Sequence, residues 1–133
     1  MAEKKSARIQ RLVNIQRQKE KMAESELADI LSLQQHNQDS MDSVITALGT
    51  FDPIHMVLSG HYSRRLSKLD SKQKQLSVHR EIKERNMLTE RVKAERMEER
   101  VQSFKMDEAR AAEDETLQDL IDALGGMKKS SFR

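Results

Sequence analysis

The chain has 133 residues, of which 35% are charged, 36% apolar and 3% aromatic. That suffices for one small domain and supplies little globular core, which excludes most enzymes. Lys plus Arg number 24 against 22 for Asp plus Glu, and cysteine is absent. A net charge of +2 gives no strong overall field toward nucleic acid or anionic lipid. Without thiols there are no disulfides, no thiolate catalysis and no common structural zinc site, and a reducing, cytoplasmic compartment is expected. No apolar run approaches the roughly 18 residues that cross a bilayer. No signal-type hydrophobic stretch follows Met1-Ala2-Glu3-Lys4-Lys5, so a soluble, unprocessed protein is expected.

One Pro and four Gly among abundant Ala, Leu, Met, Glu, Gln, Lys and Arg predict an all-α chain. The first helix is expected over about 3–48. Ile9, Val13, Gln16, Glu20, Ala23, Leu27, Ile30, Gln34, Asn37, Met41, Val44, Leu48 and Phe51 keep one frame of alternating three- and four-residue steps, which is one face of one helix. Gln16, Glu20, Gln34 and Asn37 make this seam weaker than an apolar zipper, although buried polar residues can fix register.

Breakers follow at Gly49-Thr50-Phe51-Asp52-Pro53. Gly49 suits a left-handed residue past a helix end, Asp52 an N-cap and Pro53 a first turn. A second helix is expected over about 53–124, its frame running through Tyr62, Leu66, Leu69, Gln73, Leu76, Arg80, Lys83, Met87, Glu90, Ala94, Met97, Val101 and Phe104. It should stop at Gly125-Gly126, leaving a flexible tail over 125–133. A connection of about five residues joins antiparallel neighbours. The predicted fold is therefore two long antiparallel helices forming a single coiled-coil hairpin, with arms of about 70 and 105 Å. Pairing outward from the turn places Ile9 near residue 93 and leaves the last 25 to 30 or so helical residues without an intramolecular partner.

Charge is uneven along helix two. From Arg64 to Lys105 there are 13 bases and 7 acids; from Asp107 to Asp122 there are 7 acids and only Arg110. Most of these charges read as a solvated face with i,i+4 pairs such as Glu81 with Arg85, and the remainder as an electrostatic docking surface. Nucleic-acid binding is not expected, because the basic face lacks interleaved aromatics, Gly-rich loops or zinc ligands. Lys4, Lys5, Arg8 and Arg11 with Ile9, Leu12, Val13 and Ile15 begin an ordinary coiled coil, and the same pattern is compatible with resting on an anionic membrane.

His36, His55, His61 and His79 lack metal-ligand spacing, and no nucleophile, phosphate loop or paired-carboxylate cleft is visible. No catalysis, cofactor, metal or small-molecule substrate is expected. Met22, Met41, Met87 and Met97 read as seam packing, and Met56 and Met106 as adaptable partner surface. The corner is the better candidate site: Phe51, Ile54, Val57, Leu58, Tyr62 and Leu66 gather more apolar surface than two helices cover, which implies a small local core or a partner.

Two long helices, basic near the start, with the second carrying Gln102-Ser103-Phe104-Lys105-Met106-Asp107-Glu108-Ala109-Arg110-Ala111-Ala112, resemble the flagellar FliJ family and its relatives, the stalk proteins of type III secretion systems. The likeness covers the whole chain in pattern and this segment in residues. It implies a non-enzymatic stalk and escort factor, cytoplasmic and peripheral to the membrane export apparatus, which binds the flagellar export ATPase ring and links it to the export gate membrane protein. Export chaperones are further partners on this reading, and the protein alone is expected to be a monomer. The terminal end would enter the ATPase ring, with Arg8, Arg11, Lys105, Asp107, Glu108 and Arg110 as contacts. The middle of the hairpin or its corner, with Phe51, Ile54, Leu58, Tyr62 and Leu66, would face the gate. Leu117, Leu120, Ile121 and Leu124 depart from the expected polar end; they either pack on Leu12 and Ile15 or bind a ring subunit. The alternative is a self-associating coiled-coil scaffold in which the overhanging helix pairs with a second copy.

Overall fold

The structure is a computed structural model describing residues 3–131, with side chains described through Gly126. Among the described residues it is all-α: α1 spans Lys5–Leu48, α2 Pro53–Val57 and α3 Ser59–Ser131. The two long helices, α1 and α3, pack against each other. Contacts group the chain into two compact units, Arg17–Val92 and Met1–Gln16 with Lys93–Arg133, so each long helix contributes to both. No helix among the described residues is long and apolar enough to cross a membrane.

In the unit Arg17–Val92 the α1 face is the one read from the heptad frame. Glu20, Ala23, Asn37 and Val44 are buried, with Leu27, Ile30, Gln34, Met41 and Leu48 half-buried between them. On α3 Leu76 is buried, and Tyr62, Leu66, Leu69, Gln73, Lys83, Met87 and Glu90 are half-buried. Cross-helix bonds fix the order of pairing. Asn37 Nδ2 donates to the Leu69 carbonyl at 2.9 Å and to Gln73 Oε1 at 2.8 Å. Gln34 donates to Ser77 Oγ at 3.3 Å, Lys83 Nζ to Glu26 at 2.9 Å and Arg91 to Glu20 at 3.1 Å. Partner numbers on α3 rise as α1 numbers fall. Three residues depart from the expected frame or seam: Phe51 is exposed, Arg80 turns outward to pair with Glu84, and Met22 is 65% exposed. Exposed pairs on α3 include Arg80 with Glu84 and Lys74 with Asp70, where Glu81 with Arg85 was expected.

In the unit of Met1–Gln16 with Lys93–Arg133, Ser6, Val13 and Gln16 of α1 are buried, as are Ala94 and Val101 of α3. Ser6 sits on Glu108, its backbone N–H donating to Oε1 at 3.2 Å and its hydroxyl to Oε2 at 2.7 Å. This corrects the expected register, in which Ile9 would lie near residue 93. The corner is the cause: it consumes Gly49 to Leu58, about ten residues rather than five, so pairing on α3 starts only near Tyr62.

The helix ends differ from expectation in three ways. Gly49 does not adopt a left-handed conformation, since no described residue has a positive φ. Instead α1 closes in a tight turn, with Gly49 N–H directed at the Ile45 and Thr46 carbonyls and both the Thr50 N–H and hydroxyl at Ala47. Asp52 caps α2 as expected, its side chain accepting from Ile54 N–H at 2.9 Å, with Pro53 in the first turn. The expected single helix from 53 is interrupted at Leu58 (φ −89°, ψ 4°), which separates α2 from α3. At the other end α3 runs through Gly125-Gly126 to Ser131, against the predicted stop at 124. Glycine permits a left-handed stop without imposing one, and neither glycine takes that conformation. The remainder of the predicted flexible tail, 132–133, lies outside the described residues, as do residues 1–2.

Candidate partner-binding surfaces

Two clusters of predicted contact residues each fall within one unit. At the corner, in the unit Arg17–Val92, none of the five residues of α2 is buried. Phe51 is 92% exposed, Val57 83% and Ile54 68%, with Met56 and Leu58 also open. Tyr62 and Leu66 are half-buried and form the first positions of the α3 face that meets α1. The Tyr62 hydroxyl lies 2.8 Å from His55 Nδ1, which ties α2 to the first turns of α3. The predicted group therefore divides: Tyr62 and Leu66 anchor the corner, while Phe51, Ile54 and Leu58 are presented with Met56 and Val57. A local core for these residues is absent among the described residues.

The second cluster lies in the unit of Met1–Gln16 with Lys93–Arg133. Arg8, Arg11, Lys105, Asp107 and Arg110 are exposed, and Arg11 pairs with Glu3. Glu108 is half-buried and engaged inside the protein, where it accepts both Ser6 bonds at the first turn of α1. A carboxylate in that position satisfies a helix N–H that has no intrahelical partner and complements the helix dipole. The Ser6 hydroxyl holds the Glu108 carboxyl below the usual carboxylate range; desolvation opposes this, and the Ser6 N–H, Lys4 and Lys105 reinforce it. Glu108 thus reads first as a clasp on α1. Ser6 was not among the predicted contacts, yet its signal was there: one further step of the frame from Ile9 reaches Ser6, and one further step from Phe104 reaches Glu108.

A third feature is the end of α3. Every residue from Ala109 to Gly126 is exposed, including Leu117, Leu120, Ile121 and Leu124 at 55–60%. The expected packing on Leu12 and Ile15 is not found; those two are 52% and 53% exposed. The frame gives the reason. Continued past Glu108, the face that meets α1 reads Ala111, Glu115, Gln118 and Asp122, so the apolar stripe lies on another side of the helix. Met106, at 57% exposure, is open as expected.

Glu20 is the one fully buried acid in the unit Arg17–Val92 among the described residues. Its hydrogen bond from Arg17 lowers its pKa, against desolvation, and Arg91 adds a second bond. No group of three or more His, Cys, Asp or Glu among the described residues is placed to hold a metal ion. No protein-family model, curated protein or solved structure matches this chain.

Proposed function

We propose that the chain is a non-enzymatic stalk and escort factor of a flagellar, type III protein export apparatus, built as an antiparallel coiled-coil hairpin. It binds the export ATPase ring with the unit that holds its two ends and addresses the membrane export gate with its corner. The observation that carries this reading is the pairing of the basic α1 start with α3. The Ser6–Glu108 clasp leaves Arg8, Lys105, Asp107 and Arg110 exposed within one unit, four of the six residues that the FliJ resemblance assigns to the ring; of the other two, Arg11 is exposed but paired with Glu3 and Glu108 forms the clasp itself. The rise in partner number from Leu69 to Arg91 as α1 is followed backward supports the hairpin.

The test is to mix the purified protein with the export ATPase encoded in the same genome. Sedimentation should show a complex and promote ring formation, and ATP hydrolysis should rise. Charge reversal at Arg8 and Arg110 together should weaken binding at least tenfold while leaving helicity unchanged. No complex at low salt would reject the reading.

A self-associating scaffold is the second reading, favoured by the open Leu117, Leu120, Ile121 and Leu124 stripe. Four such side chains bury on the order of 800 Å² between two copies, short of the ~1,200 Å² of a stable interface. Sedimentation over a range of concentrations separates the two readings: a dimer persisting at low concentration belongs to the scaffold.

A further inference from the structure

The corner combines two features that the stalk reading does not use together. Phe51, Ile54, Met56, Val57 and Leu58 are all exposed apolar residues within eight positions of the chain, and no residue of α2 is buried. Beside it, His61, Arg64, Arg65 and Lys68 line a shallow concavity at the start of α3. With Lys72 these residues recur at three- and four-residue steps, so they share one side of α3, offset from the Tyr62, Leu66 and Leu69 side that meets α1. Arg64, Arg65, Lys68 and Lys72 form no ion pair among the described residues. The nearest acids in sequence are occupied: Asp52 caps α2, and Asp70 pairs with Lys74 away from this side.

We propose that this corner is a docking surface for an anionic lipid membrane, with Phe51, Ile54 and Val57 entering the interface and Arg64, Arg65 and Lys68 meeting lipid phosphates. The depths agree. At about 1.5 Å per residue, Arg64 and Lys68 lie roughly 8 and 14 Å along α3 from Ser59. An interfacial element buries its apolar part about 5–10 Å deep, which sets the guanidinium and ammonium groups at headgroup level. These exposed apolar side chains lie at the reversal between α1 and α3, suited to a deformable apolar medium, and the neighbouring concavity is cationic, matched to an anionic surface. The basic α1 start is the weaker site, since Val13 is buried against α3 and Arg11 is held by Glu3. The surface does not depend on the stalk reading, because a vesicle contains no protein partner.

The chain has no Trp, so Phe51→Trp in the full-length protein supplies a single fluorophore at a position that is 92% exposed. The probes are vesicles of phosphatidylcholine alone and of phosphatidylcholine mixed with phosphatidylglycerol. The expected result is co-sedimentation and a blue-shifted emission with the anionic vesicles only, weakening as salt rises. Each Lys or Arg near an anionic surface is worth about a factor of five. The R64Q/R65Q/K68Q variant should therefore lose on the order of a hundredfold in partitioning. F51S/I54S/V57S should abolish binding at unchanged helicity, since all three side chains are exposed. Three results would overturn the proposal. One is no co-sedimentation at low salt. Another is co-sedimentation that survives the serine variant, or co-sedimentation of Phe51→Trp with its emission unmoved, either of which places the contact at the basic α1 start. The third is a concentration-dependent blue shift without vesicles, which means that a second copy covers the corner.

Discussion

Asn37 shows how a polar residue specifies the pairing of α1 with α3. It is 2% exposed and donates to both the Leu69 carbonyl and Gln73 Oε1, while its own Oδ1 has no partner. Sequence placed it in the seam as one of four polar interruptions; it could not show that a single amide would span a backbone carbonyl and a side chain on the other helix. Asn37→Ala should cost about 1–3 kcal/mol in urea unfolding, because it removes two bonds and strands Gln73. Asn37→Leu should recover most of that loss or exceed the native stability, since an apolar seam is stronger but less particular about register. A larger loss for Leu than for Ala would mean that the site is too tight for a branched side chain. Glu108 teaches the complementary lesson. The FliJ resemblance suggested a partner contact for it, whereas its position in the frame, one step past Phe104, marked it as a residue facing α1.

At the scale of the elements, the α1 and α3 faces were legible because three- and four-residue spacing is a geometric property of a helix. Val13, Ala23, Val44, Leu76, Ala94 and Val101 were all in the two frames and are all buried. Where elements stop was less legible. Gly49, Leu58 and Gly125-Gly126 are decided by small differences in backbone preference that neighbouring turns override. At Gly125 and Gly126 an added Cβ meets no atom within 4 Å, and neither residue has a positive φ. Alanine at both positions should therefore stabilise the end of α3, by about 1 kcal/mol per site from helix propensity. Slower amide exchange near the substitutions would report it; unchanged or faster exchange would show that the segment is not a stable helix in solution. The Leu117 to Leu124 stripe was visible as a pattern, but its side of the helix became plain only once the register with α1 was fixed by Ser6 and Glu108.

For the whole molecule, the corner's length was the part that periodicity could not supply. Nothing in a heptad frame counts how many residues a reversal consumes, and the extra residues from Gly49 to Leu58 moved every cross-helix pair that follows. Stability as a function of pH is a property at this scale because Glu20 and Glu108 act in different units. Both carboxyls are held below their ordinary pKa, Glu20 chiefly by Arg17 and Glu108 chiefly by Ser6. Their contribution is therefore complete above the ordinary carboxylate range, near about pH 4.3 and up, and is lost as pH falls below it toward the native values, because the unfolded chain takes up protons first. Melting followed by circular dichroism should show a decline on acidification that is shallower in Glu20→Gln and in Glu108→Gln. An unchanged slope in both would remove these two contacts from the account of acid stability.

The thinness of the buried seam has a practical corollary. Among the described residues its buried apolar side chains are three valines, two alanines and one leucine, with no aromatic among them. A fold resting on so little interior is held only modestly by itself, and any molecule that binds the native form adds RT ln(1 + [L]/Kd) to a small starting quantity. Heat resistance then doubles as a detector of company: the rise in unfolding temperature ranks prospective binders whatever their chemistry.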